Sequence, residues 1–205
     1  NVVISPNSKT VINIFDIETE IVKDEITGKD RLVLNVENKV EDVTQALLTM
    51  AKGSTRSEEV NELTKQIIAE SVAEEYAAHG INNDPGSLFE STGLEFGSNT
   101  LGKRRKDMPT IGSWYKRIQS KAADNKNPDY NFHYSYLLKV MKQYIREYDG
   151  QMAYFDGQST FDLLDGALFI NLDISQLEEK FARPLAQQIL LEWIWEKYVK
   201  KNSED

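Results

Sequence analysis

Cysteine is absent from the 205 residues of this chain. Its absence excludes disulfide bonds, cysteine nucleophiles, thiolate zinc sites and iron–sulfur clusters, and fits a reducing compartment. Long apolar runs are also missing, since no stretch approaches the roughly 20 residues that cross a bilayer. The first residues lack the basic start and apolar core of a signal peptide. The sequence therefore predicts an intracellular globular protein with no transmembrane segment.

Positive charge is in deficit, and the chain carries a net charge of −9. This balance argues against a surface that coats nucleic acid, although it leaves room for a local basic patch. Hydrophobic residues make up 40% and charged residues 28%, which is typical of a globular protein. The length suits one domain, or one domain with an insertion.

Helical periodicity dominates the middle of the chain. Apolar residues three or four apart predict a first helix that Gly53 ends, with its stripe at Val36, Val40, Val43, Leu47 and Met50. A capping box at Thr55–Glu58 and a stripe from Val60 to Tyr76 predict a second helix. Similar stripes predict further helices over 111–118, 137–148 and 185–194, the last after a capping box at Ser175–Glu178.

Strand signals lie near the two ends. Val2–Ile4 and Val11–Phe15 read as short strands, and Ala167–Leu172 reads as a strand buried on both faces. Because such a strand needs neighbours, we predict that both ends of the chain belong to one sheet. Charged residues over 18–31 predict a loop, and glycine, asparagine and charge over 82–108 predict a long, mobile one.

The Gly97–Arg104 segment has the glycine and lysine spacing of a phosphate-binding loop. Arg104 stands where a serine or threonine should hold magnesium, and polar sequence precedes the segment in place of a buried strand. We therefore interpret the spacing as coincidence, and predict that the chain alone neither binds ATP tightly nor hydrolyses it.

A basic concentration follows, and it is the candidate contact surface for nucleic acid or a protein partner. Two aromatic residues nearby, Trp114 and Tyr115, could add base stacking. The alternative is a solvated loop and a helix whose aromatic residues face the core. The candidate residues are Lys103, Arg104, Arg105, Lys106, Lys116 and Arg117.

Other chemistry-bearing residues do not form a catalytic constellation. Asp16, Glu18 and Glu20 alternate, so on a strand they would share a face and could hold a hard cation; the alternative is an exposed turn. His79 and His133 have no serine or aspartate at a spacing that suits nucleophilic catalysis. No catalytic, cofactor-binding or metal-binding residue is predicted.

Two blocks of sequence resemble the conjugation-type ATPases of type IV secretion, the TraC/TrbE-like group of the FtsK/HerA superfamily. The block from Val3 to Ile17 resembles a stretch of that family that ends in Ile-Asn-Pro-Phe-Asp-Ile, with Ile14 in place of the usual proline. The stretch from Gly157 to Trp195 resembles the strand and helix that precede the family's Walker B strand. Tyr76–Ile81 and Met108–Thr110 are similar to its connecting helices.

The resemblance implies a mostly α fold with a few short strands: a helical insertion plus part of a P-loop, RecA-like α/β ATPase domain. Residues 1–35 would form strand-like segments at the edge of the ATPase core. Residues 36–150 would be the helical insertion, and 151–205 a strand and long helix that return to the core. Neither the Walker A loop nor the Walker B carboxylates are present, so the chain would lie between them.

The same resemblance implies a function. The parent would be a cytoplasmic motor ATPase, using ATP and magnesium, that energises conjugative DNA transfer or type IV secretion at the inner face of the membrane. This part would be a helical coupling domain, and its partners would be the remainder of the ATPase, further copies in a homo-oligomer, secretion-channel proteins and DNA. The alternatives are a stand-alone helical interaction module and a nucleic-acid-binding accessory domain.

Overall fold

The computed structural model describes residues 2–5, 9–53, 60–91, 102–160 and 171–200. Helices dominate these residues and the strands are few and short, which confirms the predicted fold class. The α-helices are α1 (Val36–Lys52), α2 (Glu62–Ala78), α3 (Ile111–Asp124), α4 (Pro128–Met141) and α5 (Ala182–Ile194). The strands are β1 (Val2–Val3), β2 (Glu20–Lys23), β3 (Asp30–Val33), β4 (Phe89–Ser91), β5 (Lys103–Arg105) and β6 (Leu172–Asp173). Single turns of 3₁₀ helix cover Pro85–Leu88, Lys142–Tyr144, Arg146–Tyr148 and Ala153–Phe155.

Local capping groups set the ends of the first helix. The Asn35 side chain accepts a hydrogen bond of 3.1 Å from the Asn38 amide at its start. Gly53 follows its last residue with a φ of 58°, a conformation that favours glycine. The inner part of the predicted stripe is fully buried, at Val43, Leu47 and Met50.

The second helix begins later than the sequence suggests. Asn61 and Thr64 form a reciprocal capping box, so α2 starts at Glu62. The capping box predicted at Thr55–Glu58 lies outside the described residues. The predicted stripe is nevertheless buried from Ile67 to Tyr76, and α1 and α2 pack against each other.

The third and fourth helices complete a helical body, α1–α4, around one core. Thr110 caps α3, because its hydroxyl accepts a 3.1 Å hydrogen bond from the Ser113 amide. Trp114 is fully buried, and its indole donates a 2.7 Å hydrogen bond to Ser71 Oγ on α2. The helix predicted over 137–148 is α4, which starts earlier at Pro128 and gives way to 3₁₀ turns after residue 141.

Both predicted loops contain a hairpin. β2 and β3 pair antiparallel across a turn in which Gly28 has a φ of 65°, so the prediction of a loop over 18–31 is wrong. The missed signal was a short apolar, β-branched-rich pair on either side of Thr27-Gly28: Ile21-Val22 and Leu32-Val33. Within 82–108, β4 pairs antiparallel with β5; residues 92–101 of that predicted loop lie outside the described residues.

The predicted strand at Val11–Phe15 does not form. Asn13 prevents it, because its side-chain oxygen accepts a 3.0 Å hydrogen bond from the Phe15 amide. Its side-chain nitrogen also donates a 2.8 Å bond to the Pro109 carbonyl. These contacts turn the backbone, and local side-chain bonding of this kind competes with strand pairing.

The two ends of the chain pair in parallel. Val2 lies opposite Leu172 and Val3 opposite Asp173, which confirms that both ends belong to one sheet. Most of the predicted strand Ala167–Leu172 lies outside the described residues. The proposed domain division at 35 and 150 stays a prediction.

The final helix forms close to the predicted range of 185–194, but the predicted capping box is not its start. α5 begins at Ala182 and not at the Ser175–Glu178 capping box. The Glu178 carboxylate accepts hydrogen bonds from the amides of Lys180 (2.8 Å) and Phe181 (2.9 Å), and so holds the turn that leads into the helix. The predicted capping box therefore contributes Glu178 to this turn and not to the first turn of α5.

Candidate functional site: a charged junction between the two ends

The acidic residues after β1 meet the end of the final helix. Asp16 and Glu18 are each only 4% exposed. Asp16 Oδ2 accepts hydrogen bonds from the Trp193 indole (2.9 Å) and from Ser159 Oγ (2.7 Å). Glu18 accepts a 2.8 Å hydrogen bond from Lys197 Nζ. Residues 13–18 are thereby tied to a helix almost 180 positions further along the chain.

Arg105 on β5 adds a second cation to Glu18. Its guanidinium donates a 2.9 Å hydrogen bond to the Glu18 carboxylate and a further bond to the Ile17 carbonyl. One carboxylate thus joins the segment after β1, the β4–β5 hairpin and the final helix. We call the set Asp16, Glu18, Arg105, Trp193, Glu196 and Lys197 the charged junction.

The end of the final helix supplies an acid as well. Residues Trp195–Val199 form a π-helical turn that continues α5. Within it Glu196 is 5% exposed, and its carboxylate accepts a 2.7 Å hydrogen bond from the Glu18 backbone amide. Lys200 lies 3.5 Å from Glu196 and 3.5 Å from Glu20 at the start of β2. π turns recur at functional sites, and this one carries the contacts of the junction.

The junction strongly favours the ionised form of Glu18. Burial alone would raise the pKa of its carboxyl group, but Lys197 and Arg105 outweigh burial and lower that pKa to about 2. Their effect combines the attraction of two nearby positive charges with direct hydrogen bonds. The carboxylate is therefore charged throughout the physiological pH range.

The acidic residues do not form the cation site that their alternation suggested. Residues 11–19 are not a strand, so Asp16 and Glu18 share no strand face, and protein cations neutralise them. In the part of the chain that the structure describes, no group of acidic or histidine side chains is arranged to hold a metal ion.

A buried lysine lies beside the junction. Lys39 on α1 is 6% exposed, and burial lowers the pKa of its ammonium group despite the nearby carboxylates of Glu196 and Asp42. It lines a cavity of about 10 Å³ between α1 and α5, with Asp42 and Glu192 among the other lining residues. The cavity is the size of one water molecule. Sequence reasoning missed Lys39, because its polar side chain gives no sign of burial.

The basic stretch 103–106 is largely paired within the chain. Arg104 forms an ion pair with Glu90 across the β4–β5 hairpin, at 2.5 Å. Lys106 donates 3.2 Å hydrogen bonds to the carbonyls of His79 and Gly80, where its charge suits the negative end of α2. With Arg105 in the charged junction, Lys103 is the member of this stretch that is exposed without a partner among the described residues.

The two other candidate cations lie on α3. Lys116 is 2.7 Å from the exposed carboxylate of Glu147. Arg117 donates a 2.6 Å hydrogen bond to Glu75, which is 3% exposed and also accepts from Ser113 Oγ. The structure therefore does not bring the six basic candidates together into one free patch. Their contact with DNA or with a partner stays a prediction.

Two further candidates from the sequence are His133 and the phosphate-loop-like segment. His133 is buried, and its Nδ1 lies 2.9 Å from Thr64 Oγ1. Residues 97–101 of the phosphate-loop-like segment lie outside the described residues. Lys103 and Arg104 at its end are in strand β5, so the helix that a phosphate loop requires does not follow.

Comparison with known proteins then places the fold. No protein-family model matches the sequence, and no curated protein matches it. Among solved structures, VirB4 of Thermoanaerobacter pseudethanolicus superposes with a TM-score of 0.54 and 20% identity. The chain is similar in fold to VirB4. The likeness covers 95% of this chain and 63% of the VirB4 chain, so this chain spans less than two thirds of VirB4.

The fold implied by the sequence resemblance is therefore confirmed by the likeness to VirB4. At 20% identity the match establishes the fold alone. No helix in the described residues combines the length and the apolar character that crossing a membrane requires.

Proposed function

We propose that this chain is the mainly helical coupling part of a motor ATPase that energises type IV secretion, including conjugative DNA transfer. The observation that carries the proposal is the fold likeness to VirB4, a type IV secretion ATPase, over 95% of the chain. The resemblance of Ile12–Ile17 and of Gly157–Trp195 to that family supports it independently. The parent would act on the cytoplasmic face of the membrane as a homo-oligomer, with channel proteins as partners.

The charged junction suits a coupling role. The resemblance puts the nucleotide site beyond both ends of this chain, and the junction joins those ends to each other and to the β4–β5 hairpin. A movement of either end is therefore transmitted through Glu18 and Asp16 to the final helix, and through Arg105 to the hairpin. Rigid, hydrogen-bonded networks of this kind can carry energetic coupling between sites.

ATP and magnesium would be bound outside this chain. Among the described residues no strand, glycine-rich turn and helix follow one another as a phosphate site requires. In this proposal the nucleotide chemistry belongs to the parent, and the described residues have a mechanical role.

Exchange of the charges of one ion pair in the full-length gene product tests the proposal. The variants are Glu18→Lys, Lys197→Glu and the double exchange, with Lys116→Glu/Glu147→Lys as a matched surface exchange. We expect the wild type to hydrolyse ATP and to support substrate transfer. Each single junction variant should retain ATP binding but lose transfer, and the double exchange should recover part of it.

Three results would contradict the proposal. A full-length protein without ATP hydrolysis would favour a stand-alone interaction module. Transfer that is unaffected by either single junction variant would remove the coupling role. Binding to DNA that weakens steeply with salt, in the 205-residue chain alone, would favour an accessory nucleic-acid-binding domain.

A further inference from the structure

The final helix has two unlike faces. Its inner face is buried against α1 and the charged junction, through Ile189 and Trp193, each 2% exposed. Its outer face carries Leu191 at 62% exposure, Trp195 at 56% and Val199 at 37%. We call these three residues the outer stripe. They leave a large apolar surface in contact with water.

The π turn keeps the outer stripe straight. In an α-helix a step of four residues overshoots one full turn, because a turn takes about 3.6 residues. The step from Leu191 to Trp195 therefore rotates slightly forward. A π turn has more residues per turn, so the step from Trp195 to Val199 falls short of a full turn. The two rotations oppose each other, and Val199 returns towards the line of Leu191.

Such a row differs from ordinary surface apolar residues. Single exposed apolar side chains are normal, and Ile26 in the β2–β3 turn, 95% exposed, is an example. A contiguous row that includes a tryptophan marks a surface on which another polypeptide packs. The inner face fixes the row in place, because Trp193 donates to Asp16 and Lys197 pairs with Glu18.

The occupant follows from the extent of the fold and from charge. The chain covers 63% of the VirB4 chain, so more than a third of that fold has no counterpart in these residues. The stripe lies on the helix that follows β6, and the parallel pair of β1 and β6 is only two residues long. Parallel sheets are normally larger and covered by further elements. A second copy of this chain is disfavoured by repulsion, since each carries a net charge of −9.

We propose that the outer stripe is the docking surface for the remaining part of a VirB4-like fold, which contributes an uncharged apolar surface of the same protein. The proposal rests on the proposed function, because it takes the chain as part of a longer ATPase. It identifies the face of the coupling part on which the rest of the ATPase packs. The charged junction holds the opposite, inner face of the same helix.

Hydroxyl-radical footprinting with mass spectrometry tests the docking surface residue by residue. The 205-residue chain is compared with the full-length gene product, with Trp193 as the buried control and Phe132 as the exposed control. In the 205-residue chain we expect Trp195 to be oxidised at least tenfold faster than Trp193. In the full-length protein the oxidation of Trp195 should fall to the rate of Trp193, while Phe132 stays unchanged.

A variant gives a second readout. Trp195→Lys should leave the urea midpoint of the 205-residue chain unchanged and lower that of the full-length protein. Ile26→Lys, an exposed control in the β2–β3 turn at 95% exposure, should change neither.

The outcomes separate the two proposals. Equal oxidation of Trp195 in both proteins, while the full-length protein hydrolyses ATP, overturns the docking surface and leaves the proposed function standing. Protection that grows with the concentration of the 205-residue chain identifies a second copy as the occupant and also overturns it. Protection in a full-length protein that hydrolyses no ATP supports the docking surface and contradicts the proposed function. A gene that encodes no further residues contradicts both.

Discussion

The helical body α1–α4 and the charged junction are stabilised in different ways. In the body, apolar stripes three and four residues apart bury Leu47, Ile67, Trp114 and Leu137 against one another. In the junction, buried carboxylates are neutralised by cations that lie 87 to 179 positions away along the chain. The body thus depends on packing volume, and the junction on matched charges. Mutations should separate the two, because a cavity and an unpaired charge respond differently to pH.

The largest loss of stability is expected in the body, from Trp114→Ala. The side chain is fully buried, and its removal leaves a large cavity and deprives Ser71 Oγ of a donor. We expect the free energy of unfolding to fall by about 3–5 kcal/mol. Urea denaturation measures it, with Trp195→Ala as the exposed control. A loss below that of the control would show that the body does not depend on this core.

The junction should respond next, through Glu18→Gln. The variant leaves Lys197 and Arg105 without their shared carboxylate, in a site where Glu18 is 4% exposed. Breaking a buried pair costs about 3 kcal/mol, and the partial exposure of both cations places this case at or below that figure. The urea midpoint at pH 7 reports the loss. An unchanged midpoint would mean that the cations find other partners.

The same carboxylate should give the protein a dependence on pH. Its pKa is about 2 in the folded protein, below the ordinary value of 4.5. The stabilisation is therefore complete above pH 4.5 and is lost as the pH falls from 4.5 towards 2, by about 3 kcal/mol in total. Between pH 4.5 and 2, the free energy of unfolding should change less with pH in Glu18→Gln than in the wild type. Parallel curves for the two proteins would contradict the assignment of this pH dependence to Glu18.

A smaller effect of opposite sign is expected from Lys39→Met. Burial lowers the pKa of this lysine, so its charge is unfavourable in the folded protein. A methionine of similar length would fill the space without the cost of burying a charge. We expect a gain of about 1 kcal/mol in the free energy of unfolding. A marked loss would show that Glu196 and Asp42 depend on this cation.

The smallest effect belongs to the surface, in Lys116→Gln. Lys116 and Glu147 are close, but their side chains are 63% and 56% exposed. Exposed pairs contribute little, because water and salt screen the attraction, so the urea midpoint should hardly move. A change comparable to that of Glu18→Gln would erase the distinction between the junction and ordinary surface charge.

The body was predictable from the sequence to the extent that its signals are local. Each of these signals lies within a few residues of the helix that it predicts. Examples are the apolar stripes of α1 and α2 and the start of α3 after Thr110. Errors arose where two local signals competed. Asn13 bends an apolar segment that reads as a strand, and Glu178 holds a turn where a capping box reads as a helix start.

The junction could not be predicted in the same way. The sequence identifies Asp16 and Glu18 as candidates, but their alternation predicts a shared strand face and a bound cation. Nothing in a linear pattern links Glu18 to Lys197 or Arg105, because the strength of an ion pair depends on distance and burial in space. The basic residues show the same limit, since Arg105 and Arg117 read as a free positive patch but are neutralised by distant carboxylates.

The sequence by itself determined the helical class of this protein, the caps and stripes of its body and the family that its ends resemble. Periodicity and capping involve residues within one or two helical turns, so residues close in sequence are enough to predict them. Periodicity places Trp193 on the buried face of the final helix, but tertiary structure alone decided that this helix meets Asp16 and Glu18, through Trp193 and Lys197. Helical periodicity fixes the direction of each side chain, but the packing of the whole chain decides which distant residues lie in that direction.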